Sequence, residues 1–157
     1  MKRSLLAAAL LLALSGCAHL AVRTLPKLDL ARYQHPFVVH LLSDGHGIDR
    51  AIAQALRARG YDADYGADTE MPDDADLEID YDDNWSSDFT RYLYGLDIQV
   101  RAARIENVLA IGSYDKPSIF GRPTSVAATA VIDRLFPQKK PAFPPLPPRS
   151  DMPNLRH

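Results

Sequence analysis

The chain has 157 residues, and its 18 Lys and Arg against 20 Asp and Glu give a formal net charge of −2. Negative charge is concentrated between residues 61 and 90, which contain twelve Asp or Glu and no Lys or Arg. This distribution excludes nucleic-acid binding, which needs a basic contact face, and the length predicts a single domain with a modest core.

The amino terminus is typical of a secretory signal, because Lys2 and Arg3 precede a run of only Leu and Ala from residue 5 to 14. The run is shorter than the about 20 residues that a membrane-spanning helix needs. The segment that follows, Leu14-Ser15-Gly16-Cys17, resembles the lipobox of bacterial lipoproteins. That resemblance implies cleavage after residue 16 and acylation of Cys17, which then anchors the protein in the membrane.

The residue after the cysteine bears on location. Ala18, where Asp would favour the inner membrane, implies by resemblance an outer-membrane lipoprotein with its domain in the periplasm, although exposure at the cell surface stays open. The alternative is an ordinary signal peptide with an incidental cysteine. Because Cys17 is the only cysteine of the chain, acylation explains an otherwise unpaired thiol in an exported protein.

Four segments are predicted from composition. Residues 1–16 form the signal peptide, and residues 17–35, which lack clear periodicity, form a lipidated tether. Residues 36–136 form the folded domain, without a disulfide to stabilise it. Residues 137–157 hold seven of the twelve prolines and form an extended, flexible tail.

The first half of the domain predicts a strand, a helix and a strand. Residues 37–42 form a short apolar run typical of a buried strand. Apolar residues then recur at helical spacing from Ile48 to Leu56, with Ser43 or Asp44 as a cap and Gly60 as the terminator. Alternation over residues 61–65 predicts a second strand, parallel to the first.

The second half predicts three antiparallel strands and a helix. Apolar residues alternate with polar ones over residues 77–82, 92–102 and 108–114, with a tight hairpin at Glu106-Asn107 and a bulge or close approach at Gly112. Thr124 can cap a last helix, which Pro137 stops.

These elements predict an α/β (α+β) fold, a two-layer sandwich with a mixed sheet of about five strands and two helices on one face. The order is β-α-β, three further strands and a helix. The arrangement resembles that of small envelope domains such as the amino-terminal domain of TolB or LptE-type lipoproteins, an analogy that transfers no function.

One segment carries a further resemblance. The residues from Ile79 to Asp88, Asp-Tyr-Asp-Asp-Asn-Trp among them, followed by Tyr92-Leu93 and Leu96-Asp97-Ile98, resemble small uncharacterised proteobacterial lipoproteins. The resemblance implies an outer-membrane lipoprotein without an assigned activity, and it implies no catalytic residue.

Two groups of residues are candidates for chemistry. Asp80, Asp82 and Asn84 begin like a calcium loop, but the EF-hand pattern fails at its glycine and at its last ligand, so a solvated acidic face is the favoured interpretation. Ser43, Asp44 and His46 supply nucleophile, carboxylate and base types. They lie in one turn, however, whereas triads converge from separate elements, so turn and cap chemistry is favoured.

The acidic and aromatic residues near the turn after residue 83 suggest a partner-binding surface, which comprises Asp82, Asp83, Trp85, Asp88 and Phe89. The favoured hypothesis is therefore a non-catalytic interaction or assembly component, attached to the membrane through acylated Cys17, with an envelope protein as its partner and no cofactor. The alternative is a small-ligand-binding or hydrolytic periplasmic lipoprotein that uses the turn from Ser43 to Gly47.

Overall fold

The computed structural model describes residues 19–85, 93–115 and 123–139. Two short 3-10 turns, Leu30–Arg32 and Asp68–Glu70, lie in the connections. The regular elements in chain order are β1 (His19–Thr24), β2 (Pro36–Val39), α1 (Ile48–Ala58), β3 (Asp64–Gly66), β4 (Leu77–Trp85), β5 (Leu93–Ala102), β6 (Val108–Asp115) and α2 (Thr124–Leu135).

The six strands form one mixed sheet in the order β1-β6-β5-β4-β2-β3. Strand β2 is parallel to both β3 and β4, whereas β4, β5, β6 and β1 are successively antiparallel. The two helices contact each other and pack on the same face, over fully buried Val38, Ile79 and Ile98. The predicted α+β fold is confirmed, including the parallel β-α-β unit and the antiparallel meander, but the sheet has six strands rather than five.

The sixth strand lies in the segment that the sequence predicts as a tether. Strand β1 pairs along its whole length with β6, and it directs Leu20 and Val22 toward the core. Farther along, Leu30 is buried, and the Asp76 carboxylate accepts hydrogen bonds from the backbone of Gln34 and His35. The expectation of a free spacer is therefore wrong for residues 19–35, since they form part of the domain.

The predicted flexible tail also begins too early. The backbone N–H of Lys139 donates to the Arg59 carbonyl at 2.9 Å, and its ammonium lies 4.1 Å from the centre of the Tyr61 ring. The Tyr61 hydroxyl donates to the Pro137 carbonyl at 3.3 Å, and burial raises the pKa of this phenol to about 12. The folded domain therefore extends to Lys139, and residues 140–157 lie outside the described residues.

The connection between β5 and β6 differs from the predicted hairpin at Glu106-Asn107. Arg104, not Asn107, adopts a positive φ, of 62°. Its guanidinium donates to the carbonyls of Met71 and Pro72, and its backbone N–H donates to Glu78. These bonds stabilise a left-handed conformation that a long side chain rarely adopts by itself.

Gly112 confirms the predicted close approach. A Cβ atom at this position would lie 2.5 Å from Cγ1 of Val131 and 2.8 Å from Cδ1 of Leu135. Both neighbours belong to α2, so the absence of a side chain at residue 112 lets this helix pack directly on the sheet.

Candidate functional site

The turn that connects β2 to α1 is organised by one carboxylate. Asp44 is 9% exposed, and its Oδ1 accepts hydrogen bonds from the backbone N–H groups of His46 and Gly47 at 2.7 and 2.9 Å. Its Oδ2 accepts from the N–H of Ile48 at 2.7 Å. The same oxygen accepts from the N–H of Asp49 at 3.4 Å. His46 and Gly47 lie in the turn, whereas Ile48 and Asp49 open the helix and have no intrahelical acceptor for their N–H groups, so the predicted capping role of Asp44 is confirmed.

A tyrosine from the neighbouring strand completes this arrangement. The hydroxyl of Tyr81 donates to Oδ2 of Asp44 at 2.9 Å and accepts from the backbone N–H of Leu41 at 3.2 Å. Burial, together with the neighbouring carboxylates, raises the pKa of Tyr81 above its usual range. The phenol therefore keeps its proton and acts as a donor, which ties the turn to β4.

The charge of Asp44 is stabilised inside the protein. Burial by itself raises the pKa of this carboxyl, but the hydrogen bonds from His46, Tyr81 and Ile48 outweigh it, so that the pKa lies below its usual value. Asp44 is consequently ionised at neutral pH. Because both oxygens already accept several hydrogen bonds, little capacity remains for binding a ligand or a proton.

A histidine lies beside the same turn. Nδ1 of His40 is 2.8 Å from Oδ2 of Asp49, a residue of the first turn of α1 that is buried. His40, Asp44 and Asp49 bring one potential metal-ligand atom each within 4.8 Å of the others. The sequence does not predict this group, since Asp49 is recognisable as an inward-facing residue only from the direction of the helix. The existing hydrogen bonds of all three side chains explain the cluster without an ion.

The predicted triad types do not meet as a triad. Asp44 contacts His46 through the backbone N–H, and the imidazole instead lies on the indole of Trp85, with ring centres 3.9 Å apart. Nε1 of Trp85 donates to Asp83 at 2.6 Å, which holds the indole in place. Ser43 is exposed at the surface of the turn. The arrangement is that of a capped helix closed by a stacked histidine and tryptophan.

The calcium candidates lie along the face of β4 that points away from the helices. The guanidinium of Arg101 on β5 lies 2.6 Å from a Glu78 oxygen and 2.5 Å from an Asp80 oxygen. Burial raises the pKa of Asp80, and Arg101 opposes that rise. Since a fixed cation already neutralises Asp80, this strand is a poor calcium site. The face is acidic but only partly solvated, because Glu78 and Asp80 pair with Arg101.

The predicted partner surface is divided between two sides of β4. Asp82 is exposed on the acidic face, where its register partner is Asp97, whereas Asp83 and Trp85 lie at the strand end beside the capped turn. Asp88 and Phe89 lie outside the described residues, as do Cys17 and residues 1–16, the predicted signal peptide. Among the described helices, none is long and apolar enough to cross a bilayer.

A polar depression of about 460 Å³ lies on the same acidic face, between the 3-10 turn at Asp68–Glu70 and the connection from β5 to β6. Its cationic groups are already occupied, since Arg101 is paired with carboxylates and Arg104 donates to backbone carbonyls. Among the described residues, the depression therefore offers no free cationic group with which to bind an anionic ligand.

Comparison with known proteins identifies a fold and no family. No protein-family model and no curated protein matches the chain. Two crystal structures of the PelC dodecamer from Paraburkholderia phytofirmans, one of them a variant, are 15% and 16% identical with TM-scores of 0.55. They cover 79% and 78% of this chain and 100% of their own. A DUF4136 family protein from Bacteroides thetaiotaomicron is 10% identical over 73% of this chain and 91% of its own, with a TM-score of 0.46. The chain therefore shares the fold of PelC.

Proposed function

We propose that this protein is a bacterial lipoprotein, acylated on Cys17 and anchored to the outer membrane, that acts in the periplasm as a non-catalytic assembly component. Its sheet edges join copies of the chain to one another. The observation that carries this proposal is the complementarity of the two edge strands, β1 and β3.

Within the described residues, β1 pairs only with β6, and β3 pairs only with β2. Strand β3 runs in the same direction as β2 and β4, whereas β1 runs opposite to them. If two copies lie side by side, β1 of one and β3 of the next therefore form an antiparallel junction. Such head-to-tail contacts repeat, and they close into a ring when the rotation between copies allows it.

The longer edge lacks the usual protection against pairing. Strand β1 has six residues, His-Leu-Ala-Val-Arg-Thr, without a proline and with Arg23 as its single formal charge. Edge strands of monomeric proteins commonly carry charges, prolines or bulges that block further pairing. The PelC structures, which share the fold, are dodecamers, and this supports the idea that such a domain can assemble.

The turn from Ser43 to Gly47 supports the alternative less well. A ligand-binding or hydrolytic role needs free polar groups there, and Asp44 uses its oxygens to bind the helix.

Native mass spectrometry of the chain from Cys17 onward, with Cys17→Ser to prevent acylation, tests the assembly. We expect a discrete oligomer in the parent chain and its loss with Ala21→Lys, which places an ammonium on the exposed side of β1. Gln99→Lys, on the exposed face in the middle of the sheet, is the matched control and should leave the oligomer intact. Monomers at every concentration would contradict assembly through the edges.

The anchor is tested separately in cells. The protein extracted from membranes should carry the mass of the acyl chains on Cys17, and Cys17→Ser should release it into the soluble periplasmic fraction. An unmodified Cys17 would refute the lipoprotein assignment whatever the oligomeric state.

A further inference from the structure

We propose that the end of the domain carrying Leu42, Trp85 and Tyr94 rests on the phospholipid surface in which the acylated Cys17 is inserted. We call this end the His19 end, after the first residue of β1. The inference rests on the proposed acylation and adds an orientation: the sheet stands on the bilayer with one defined end.

The first step is the length of chain between the anchor and the fold. A single residue, Ala18, separates Cys17 from His19, with which β1 begins. Two residues of fully extended chain span at most about 7 Å. The polar headgroup region of one leaflet is about 5 to 8 Å thick. With the acyl chains of Cys17 in the hydrocarbon, His19 therefore lies at or just above the level of the headgroups.

The second step is what the sheet places beside His19. The register puts His19 opposite Asp115 on β6, which is opposite Gly95 on β5, which is opposite Asn84 on β4. This row crosses three inter-strand spacings, about 14 Å. Trp85 is the next residue of β4 beyond the row, so a domain tethered at His19 carries Trp85 close to the membrane surface.

The third step is the chemistry of that end. Leu42 is 98% exposed in the turn before α1, which is an unfavourable place for an aliphatic side chain in water. Tyr94 lies on β5 between Gly95 and Leu93, the register partner of Trp85, and is 39% exposed. Trp and Tyr are the residues enriched at membrane–water interfaces, where an apolar ring with a polar atom matches the headgroup region.

The charges at this end limit the type of lipid. Among the described residues, Asp115 lies in the row and Asp83 lies next to it, together with exposed Asp82, and an anionic surface would repel these carboxylates. The contact we propose is therefore one of aromatic and aliphatic side chains with a zwitterionic surface, and it should depend little on salt.

The opposite end supplies an internal control. Leu25, Ile105 and Val108 are also exposed apolar residues, but they lie beyond the far end of β1. The five steps from His19 to Thr24 span about 17 Å, so an upright domain holds these residues away from the lipid.

Trp85 is the only tryptophan, so its fluorescence reports directly on this end. In vesicles of phosphatidylcholine that contain brominated acyl chains, we expect the fluorescence of the acylated protein to be quenched and shifted to the blue relative to the Cys17→Ser chain. With Trp85→Phe and Ile105→Trp combined, the reporter is at the opposite end and should not be quenched. Absence of quenching at Trp85, or equal quenching at both positions, would overturn the proposed orientation.

The orientation and the acylation fail in distinguishable ways. Since Cys17 is the only cysteine, a maleimide-headed phospholipid can be coupled to it in the chain from Cys17 onward, which contains every described residue. Trp85 quenching in this material tests the orientation even if the cell does not acylate Cys17. Mass analysis of the natural protein tests acylation by itself.

Discussion

The substitution Asp44→Ala is the most direct test of the capped turn. It removes the acceptor for four backbone N–H groups of the turn and of the start of α1, and for the buried hydroxyl of Tyr81. Loss of a helix cap costs about 0.5 to 2 kcal/mol, and each buried donor left without an acceptor costs about 1 to 3 kcal/mol. Because Ile48 N–H and Tyr81 O–H are both buried, we expect a loss of about 3 kcal/mol or more in the free energy of unfolding.

The assay is urea unfolding followed by circular dichroism, on the Cys17→Ser chain to avoid lipid. Ser43→Ala, one residue away and exposed, is the matched control and should leave the unfolding midpoint unchanged within error. If Asp44→Ala unfolds at the same urea concentration as its parent but abolishes a cellular phenotype, the capping explanation is refuted and a ligand-binding turn is favoured.

The difference in the free energy of unfolding between the parent and Asp44→Ala should depend on pH in a defined direction. The pKa of Asp44 is lowered in the folded protein, because its hydrogen bonds outweigh the effect of burial. Its stabilising contribution is therefore complete above the unfolded value of about 3.9 and is lost as the pH falls through the lower folded pKa. The difference in the free energy of unfolding between the parent and Asp44→Ala should be constant near neutral pH and should become smaller in acid. A difference in stability that grows in acid would contradict the stabilising role of the ionised Asp44 carboxylate.

Three further substitutions test the packing and the two faces of the sheet by the same unfolding assay. Gly112→Ala should lower the free energy of unfolding by about 1 to 3 kcal/mol, because its new methyl group meets α2. Gly45→Ala is the control and should be nearly neutral, because its methyl group meets no atom within 4 Å. Equal effects of the two substitutions would contradict the close approach at Gly112. Tyr81→Phe should lose about 1 to 2 kcal/mol, since Asp44 loses a donor and the N–H of Leu41 loses its acceptor, and an unchanged midpoint would refute the tie between β4 and the turn. Burial raises the pKa of Asp80 in spite of Arg101, so the ionised carboxylate lowers the stability of the fold at neutral pH, and this destabilisation fades as the pH falls through the folded pKa. We therefore expect Asp80→Asn to be as stable as the parent at pH 7, or more stable. A clear loss of stability would show that the ion pair with Arg101 outweighs the cost of burial.

Local patterns along the chain were sufficient for most of the elements. The helical spacing of apolar residues in α1 and the alternation in β4, β5 and β6 depend only on which face each element buries. The order of apolar and polar residues along the chain shows that face directly. Gly60 ends α1 with a φ of 88°, a local requirement that glycine meets. A glycine inside a strand also predicts the close approach at Gly112, although the helix that approaches it is known only from the structure. Asp44 could be predicted as a cap because capping is a local requirement as well.

The parts that the sequence did not predict are those that depend on distant partners. Strand β1 has two inward apolar residues, too few to mark a strand, and it becomes one by pairing with β6, about 90 residues later in the chain. Tyr81 binds Asp44, and Trp85 lies on His46, because β4 comes to lie next to β2, and no spacing along the chain indicates this.

The features that the sequence predicts and those that only the structure shows differ for a single physical reason. A hydrophobic period or a capping residue acts within a few positions, so the sequence by itself determined most of the elements and the acidic face, and it predicts the secretory start with its lipobox-like segment. Pairing of strands and burial of a side chain depend on which segments the folded chain brings together. Only the tertiary structure therefore decided that residues 19–35 belong to the domain and that Tyr81 and Trp85 complete the capped turn.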